Sequence, residues 1–437
     1  MRNHLTRRQV LGAASTGLIA AKAARPAAAT DKPALLGGGP VRATPFPSWP
    51  VIAENDERAW MQVLRNGKWN RLDGDYARQF EETWAATLGA KHCLATANGT
   101  SALIISLNAL GIGPGDEVIV PAMTFAASAN CIVYQGALPV FADVDPETLL
   151  IDVRDVEAKI TPRTRAIIAV DYAGQPCAYD GLNALALHRG LALVADACHS
   201  LGGAYRGRSV GTLADLNVFS LHPVKAMTTG EGGVITTASF ETAHAMRRFR
   251  NHGITSDHFE REQIGSWLYA MIELGYNYRM NDIQSALGLS QLAKLGGWIE
   301  RRRAIAQRYD LALAHMPGIR ALRVNSEVEH SYHLYVVELD TASLTVDRAR
   351  IFAALRAENI GVNVHYLPVH LHPYYRKTFA TREGLCPVAE SAYEKILSLP
   401  IYPAMSDADV DDVTEALWKV MNAYASESRS AAVAGAR

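Results

Sequence analysis

The stretch Phe219-Ser-Leu-His-Pro-Val-Lys-Ala-Met-Thr-Thr-Gly-Glu-Gly-Gly233 decides the reading of this chain, because it sets one lysine, Lys225, between an apolar run and a glycine-rich turn. A desolvated lysine loses its charge readily and can attack an aldehyde, and glycine-rich backbone lets a phosphate-bearing cofactor come close. The cofactor this points to is pyridoxal phosphate. Taken alone, a lysine beside glycines is more often a solvated loop residue, so the assignment needs support from elsewhere in the chain.

A pyridoxal site also requires an acid at the pyridine nitrogen, a phosphate cradle and a flat group against the ring. Asp196 closes the apolar run Leu191-Ala-Leu-Val-Ala195. A carboxylate there keeps the ring nitrogen protonated, so the ring can accept electrons. One loop and one strand return the chain from Asp196 to Lys225 at the same sheet edge, and the pair says more than either residue. Asn98-Gly-Thr-Ser101 precedes a helical run and offers free N–H groups and a positive dipole end to an anion, with Gly99 and Thr100 in direct reach. Read by itself, the segment is a helix cap. Ser220 and His222 are further candidates for the phosphate. Phe125 lies past a predicted strand and is a candidate to stack on the ring, with core packing the alternative. His199 is a candidate to contact the ring or its O3′ hydroxyl, with a polar loop residue the alternative.

Around these segments, short Val/Ile/Leu runs alternate with helical patterns. Strands are predicted at 117–121, 138–144, 166–170, 192–196, 216–221 and 233–237, and helices at 77–88, 101–109 and 182–189. This pattern predicts an α/β domain with a mostly parallel sheet covered on both faces, and ligands at the strand ends. A helical stretch follows over 282–313, with Gly296-Gly297 as its expected break. A smaller α+β domain comes next, with strands at 333–339 and 362–366 and helices at 349–358 and 407–425. The proline- and glycine-rich run from Gly37 to Pro50 cannot hold a helix or central strand and reads as an arm lying on the body. The resulting division is a leader at 1–29, an N-terminal arm at 30–60, a large domain at 61–295, a small C-terminal domain at 296–425 and a mobile tail at 426–437.

Lys plus Arg number 43 against 44 Asp plus Glu, so no basic field exists for nucleic acid. Cys93, Cys131, Cys177, Cys198 and Cys386 are scattered without a CxxC pair, which predicts neither a zinc site nor a disulfide framework, and no metal is expected. Thr6-Arg-Arg-Gln-Val-Leu11, a mild apolar run and Ala27-Ala-Ala29 resemble a twin-arginine export signal, which predicts a periplasmic destination. An unused signal would leave the protein in the cytoplasm. No segment is long and apolar enough to predict a membrane span.

The whole pattern resembles the DegT/DnrJ/EryC1/StrS family of pyridoxal-phosphate sugar aminotransferases. The likeness rests on the Gly-Gly-Gly-Pro-Val-Arg arm, Asn98-Gly-Thr-Ser-Ala102, Gly113-Pro-Gly-Asp-Glu-Val-Ile-Val-Pro121, Asp196-Ala-Cys-His199, the Lys225 segment and Gly275-Tyr-Asn-Tyr-Arg-Met-Asn-Asp-Ile-Gln284. The resemblance implies the aspartate aminotransferase fold, that of the type I pyridoxal-phosphate enzymes. It also implies Lys225 as the Schiff-base lysine, Asp196 on the pyridine nitrogen, and Gly99, Thr100 and Ser220 on the phosphate. It further implies a homodimer with shared active sites, in which Asn277, together with Arg279, reaches the neighbour's phosphate.

Val170-Asp-Tyr-Ala-Gly174, His199-Ser-Leu-Gly202, the segment from Gly275 to Leu292 and Val362-Asn-Val-His-Tyr-Leu-Pro-Val-His370 look like the branch that aminates UDP-linked 4-keto-6-deoxy sugars, of the pseudaminic-acid type. The arm and Ile160-Thr-Pro-Arg-Thr-Arg165 look as much like the cyclitol and antibiotic-sugar branch, which leaves a keto-inositol as the alternative acceptor. The implied reaction takes an amino group from an amino acid, L-glutamate, to a keto sugar, with Lys225 moving protons. His365 and Tyr366 are candidates for the sugar nucleotide. Two rival readings are a sugar dehydratase, whose known relatives carry histidine at the lysine position, and a non-catalytic binding protein of the same fold.

Overall fold

The computed structural model describes residues 32–256, 261 and 263–426. The twin-arginine segment and the tail beyond Ser426 lie outside the described residues. Seven strands form the central sheet, in the spatial order His92–Thr96, Gly233–Thr237, Leu216–Ser220, Ala192–Asp196, Thr164–Val170, Glu117–Pro121 and Leu138–Ala142. The last five run parallel, and Gly233–Thr237 is antiparallel to both of its neighbours. Val118, Ile119, Val120, Leu193, Val194 and Ala195 are fully buried. A parallel sheet covered on both faces demands such continuous apolar runs. Parallel strands end at a common edge, so Pro121, Val170, Asp196 and Ser220 all hand over to loops there.

The long helical stretch breaks at Ala293-Lys294, between Asp282–Leu292 and Leu295–Leu313, and not at Gly296-Gly297 as expected. Buried Leu292 and Leu295 pin the chain on either side of the break. The glycines fall in the first turn of the second helix, where N–H groups lack intrahelical partners and glycine costs little. A second core follows. The antiparallel strands Ile319–Ala321, Tyr335–Leu339 and Ile396–Leu399 pack with helices Leu295–Leu313, Arg348–Ala357 and Asp407–Ala423 around Tyr309, Val337, Ile351 and Leu417.

The strand expected at 362–366 is absent, and only Asn363 bridges Ser398 there. Asn363 Oδ1 accepts the Val364 N–H at 2.8 Å, a local bond that competes with a ladder. The N-terminal arm lies on this second unit. Buried Glu358 accepts the N–H groups of Ala34 and Val41 at 2.7 and 2.8 Å, and Arg42 pairs with Asp409 and Asp412, each at 2.7 Å. No helix among the described residues is long and apolar enough to cross a membrane.

Candidate active site

A cavity of about 460 Å³ opens where the parallel strands end. It gathers every residue singled out from the sequence except Asn277 and Arg279. Its floor is the start of helix Gly99–Ala109. Asn98 caps that helix, with its Oδ1 taking the Ser101 N–H at 2.8 Å and its carbonyl the Ala102 N–H at 3.1 Å. The N–H groups of Gly99 and Thr100 have no partner among the described residues, and no acidic side chain sits in this first turn. A Cβ on Gly99 would lie 2.9 Å from Ser220 Cβ and 3.3 Å from Ser220 Oγ. Glycine therefore lets the helix start close against the end of strand Leu216–Ser220. Two unpaired amides, a helix dipole and a serine hydroxyl make a cradle suited to a phosphate dianion.

Asp196, 6% exposed, accepts from Ser128 Oγ at 2.7 Å and from the Cys198 N–H at 3.3 Å. Ser128 belongs to helix Ala127–Tyr134, and its hydroxyl is also 2.7 Å from Thr124 Oγ1. The carboxylate is thus held in one place from two sides. Lys225 lines the same cavity. Burial pushes its ammonium below the usual lysine value, and the charges of Cys198 and Asp196 only partly offset this. An amine so placed is more readily neutral, the form that attacks carbonyl carbon and accepts protons.

His199 Nε2 lies 3.2 Å from the Tyr366 hydroxyl, and its ring centroid is 4.4 Å from that of His333. Burial, followed by Lys225 and His365, holds His199 well below the usual imidazole range. Burial and Lys225 also hold His365 at about 4. Both rings are therefore neutral near pH 7. His365 comes from the second unit, with its Nδ1 2.8 Å from Ser398 Oγ and its carbonyl taking the Tyr172 hydroxyl. Burial keeps the Tyr366 phenol protonated. Phe125 is 59% exposed on the rim and 6.0 Å from the Tyr366 ring, so it is not a core residue. His222 is exposed on the same rim.

Asn277 is exposed and bridges Asn251 through its backbone. Arg279 donates to Asn251 Oδ1 at 2.6 Å, and neither residue lines the cavity. The structure adds groups that sequence reasoning misses. Ser128 sits in an unexpected helix, and His333 and Ser331 arrive from the second unit, with Ser331 Oγ donating to the His199 carbonyl at 2.8 Å. No local spacing announces these contacts. The Thr124-to-Ser128 separation, one helical turn, is the one available hint.

Comparison with known proteins places the chain in a family. A model of the DegT/DnrJ/EryC1/StrS aminotransferase family matches residues 50–418. The chain is 42% identical over 372 residues to the spore coat polysaccharide biosynthesis protein SpsC of Bacillus subtilis, covering 85% of this chain and 95% of that protein. Its structure is similar to that of Helicobacter pylori PseC, an aminotransferase involved in the biosynthesis of pseudoaminic acid. The TM-score is 0.81 at 30% identity, over 87% of this chain and 100% of that one. The PLP form of Spr1654 from Streptococcus pneumoniae gives a TM-score of 0.81 at 32% identity, over 87% and 99%.

Proposed function

The chain belongs to the DegT/DnrJ/EryC1/StrS aminotransferase family and is a pyridoxal-phosphate-dependent sugar aminotransferase, and we propose that it carries the amino group of L-glutamate to a UDP-linked 4-keto-6-deoxy sugar. The observation that carries this reading is the cavity shared by Asp196 and Lys225 of the sheet edge with His365 and Tyr366 of the second unit. The likeness to PseC favours the choice of acceptor.

Pyridoxal phosphate, when bound, supplies an aldehyde that holds the amino group in transit and a ring that withdraws electrons from the reacting carbon. The amides of Gly99 and Thr100 and the Ser220 hydroxyl would hold its phosphate. Asp196, fixed by Ser128 and the Cys198 amide, would keep a proton on the ring nitrogen. Lys225 Nζ takes the proton from the amine-bearing carbon of glutamate and later returns one to the sugar carbon that receives nitrogen. Neutral His199 and protonated Tyr366 offer hydrogen bonds without adding charge beside Lys225. His365 and Tyr366 orient the sugar nucleotide, and Phe125 and His222 cover the rim.

The test is release of 2-oxoglutarate from glutamate with a panel of UDP-, dTDP- and GDP-linked keto sugars and a keto-inositol. Turnover of the UDP-4-keto-6-deoxy sugar is expected, and Lys225→Ala abolishes it. Acceptance of the keto-inositol alone would overturn the nucleotide-sugar reading.

The reading extends to a homodimer. Trp267, Met271 and Leu274, in the segment that leads to Asn277, are 85%, 65% and 75% exposed, and such exposed apolar side chains suit a second copy. Mixing inactive Lys225→Ala and Asn277→Ala subunits should restore partial activity if sites are shared, and no recovery sinks that arrangement. Export by the N-terminal signal is part of the same proposal. Cell fractionation with N-terminal sequencing should find a periplasmic chain starting near Thr30.

A further inference from the structure

Lys225 stands in a loop, 221–232, without helix or strand, so the reach of its amine depends on what holds that backbone. The loop fastens itself through Lys225 N–H to the His222 carbonyl at 2.9 Å, and through Thr228 Oγ1 and Thr229 N–H to the Leu221 carbonyl at 2.9 and 3.1 Å. The Lys225 carbonyl is held from outside. The indole N–H of Trp49, in the N-terminal arm, donates to it at 3.2 Å. The Trp49 ring is itself seated on helix Leu295–Leu313, edge-on to Trp298 at 5.2 Å and under the Arg302 guanidinium at 5.6 Å. Arg302, 1% exposed, is locked in turn by the carbonyls of Tyr332 and Ile401 at 3.1 and 2.8 Å.

We propose that Trp49 is a positioning residue for Lys225. It fixes the peptide that carries the amine and ties that peptide to the helix leading into the second unit. This rests on Lys225 being the reactive amine. A donor on the carbonyl restrains the peptide plane following Lys225, and misplacement of a catalytic group by a fraction of an ångström is costly to proton transfer. The Trp49 ring is only half-buried, so loss of its N–H alone has little to take from the core.

The decisive variant is Trp49→Phe, which keeps a ring and removes the donor. The expected result is a kcat lower by about tenfold, the size of one hydrogen bond, with KM for the acceptor unchanged. The pH at which the visible absorbance of the bound cofactor titrates should shift, and the melting temperature should stay at the wild-type value. Borohydride reduction followed by peptide mapping, on both proteins, separates the two ideas. If the wild-type peptide carrying Lys225 gains no pyridoxyl group, Lys225 is not the reactive amine. If it is labelled in both proteins and Trp49→Phe keeps the wild-type kcat and absorbance titration, the positioning role is overturned. A fall in melting temperature together with loss of cofactor would make Trp49 merely structural, which also overturns it.

Discussion

Glu81→Gln should cost about 3 kcal/mol of stability and loosen the phosphate cradle. Glu81, 9% exposed on helix Tyr76–Leu88, accepts from Arg71 at 2.9 and 3.2 Å, from Arg250 at 2.6 Å and from the Ala95 N–H at 2.8 Å. Arg250, itself 4% exposed, also donates to the Ala95 carbonyl at 2.7 Å. Burial alone would raise the carboxyl, but Arg71 and Arg250 outweigh it and hold Glu81 at about 2, against an ordinary 4.5. That depression corresponds to about 3 kcal/mol. Because the folded value is the lower one, this stability is fully present above about pH 4.5 and is lost as pH falls through about 2. Glutamine keeps one acceptor oxygen but leaves two guanidinium groups without their counter-charge.

Denaturant unfolding followed by tryptophan fluorescence reads the difference at pH 7. Repeated at pH 3.5, the gap between wild type and variant should narrow by about 1.4 kcal/mol, one pKa unit's worth. Ala95 lies in the strand that leads directly into Asn98 and Gly99, so the variant should also bind pyridoxal phosphate more weakly. A gap below about 1 kcal/mol at pH 7, or one identical at both pH values, would mean that the two guanidinium groups do not hold Glu81 ionised.

Gly99→Ala should weaken pyridoxal phosphate binding by about tenfold or more, because its Cβ would meet Ser220 Cβ at 2.9 Å and force the cradle apart. Cofactor titration by absorbance checks this, and unchanged affinity would show that helix and strand can separate freely. Glu358→Ala removes two arm hydrogen bonds and the 2.9 Å partner of Lys419, whose side chain is 7% exposed, so it should cost about 3–5 kcal/mol. Limited proteolysis should then cut within residues 33–50 before the body of the protein, and an arm as resistant as wild type would count against this.

Much of the sheet is legible in the sequence because parallel strands buried on both faces are written as apolar runs. Ala192–Asp196 and Gly233–Thr237 coincide with the expected spans. His92–Thr96 escapes, since His-Cys-Leu-Ala-Thr lacks the Val and Ile that mark its neighbour Gly233–Thr237. Asp196 and Lys225 stand out because strand ends and glycine turns punctuate the chain around them. Trp49, Ser128 and His333 do not, because their contacts join residues far apart in sequence and only packing brings them together. The segment 362–366 misleads for the opposite reason: its apolar alternation is strand-like, but the Asn363 side chain satisfies the next backbone amide itself.

The arm's anchorage has a consequence for how the protein is made. Arg42 is held by Asp409 and Asp412, and Lys419 binds the Gly39 carbonyl at 2.6 Å and Glu358 at 2.9 Å, so the arm is fastened by the last described helix, Asp407–Ala423. Synthesis delivers the arm first and its moorings last. The sheet and the Asp196 edge can assemble while the chain is still growing. Trp49 can be secured over the Lys225 carbonyl only once helix Leu295–Leu313 exists to seat its ring, and the arm that carries it is moored last, so the Lys225 backbone gains this outside restraint after the sheet edge has formed.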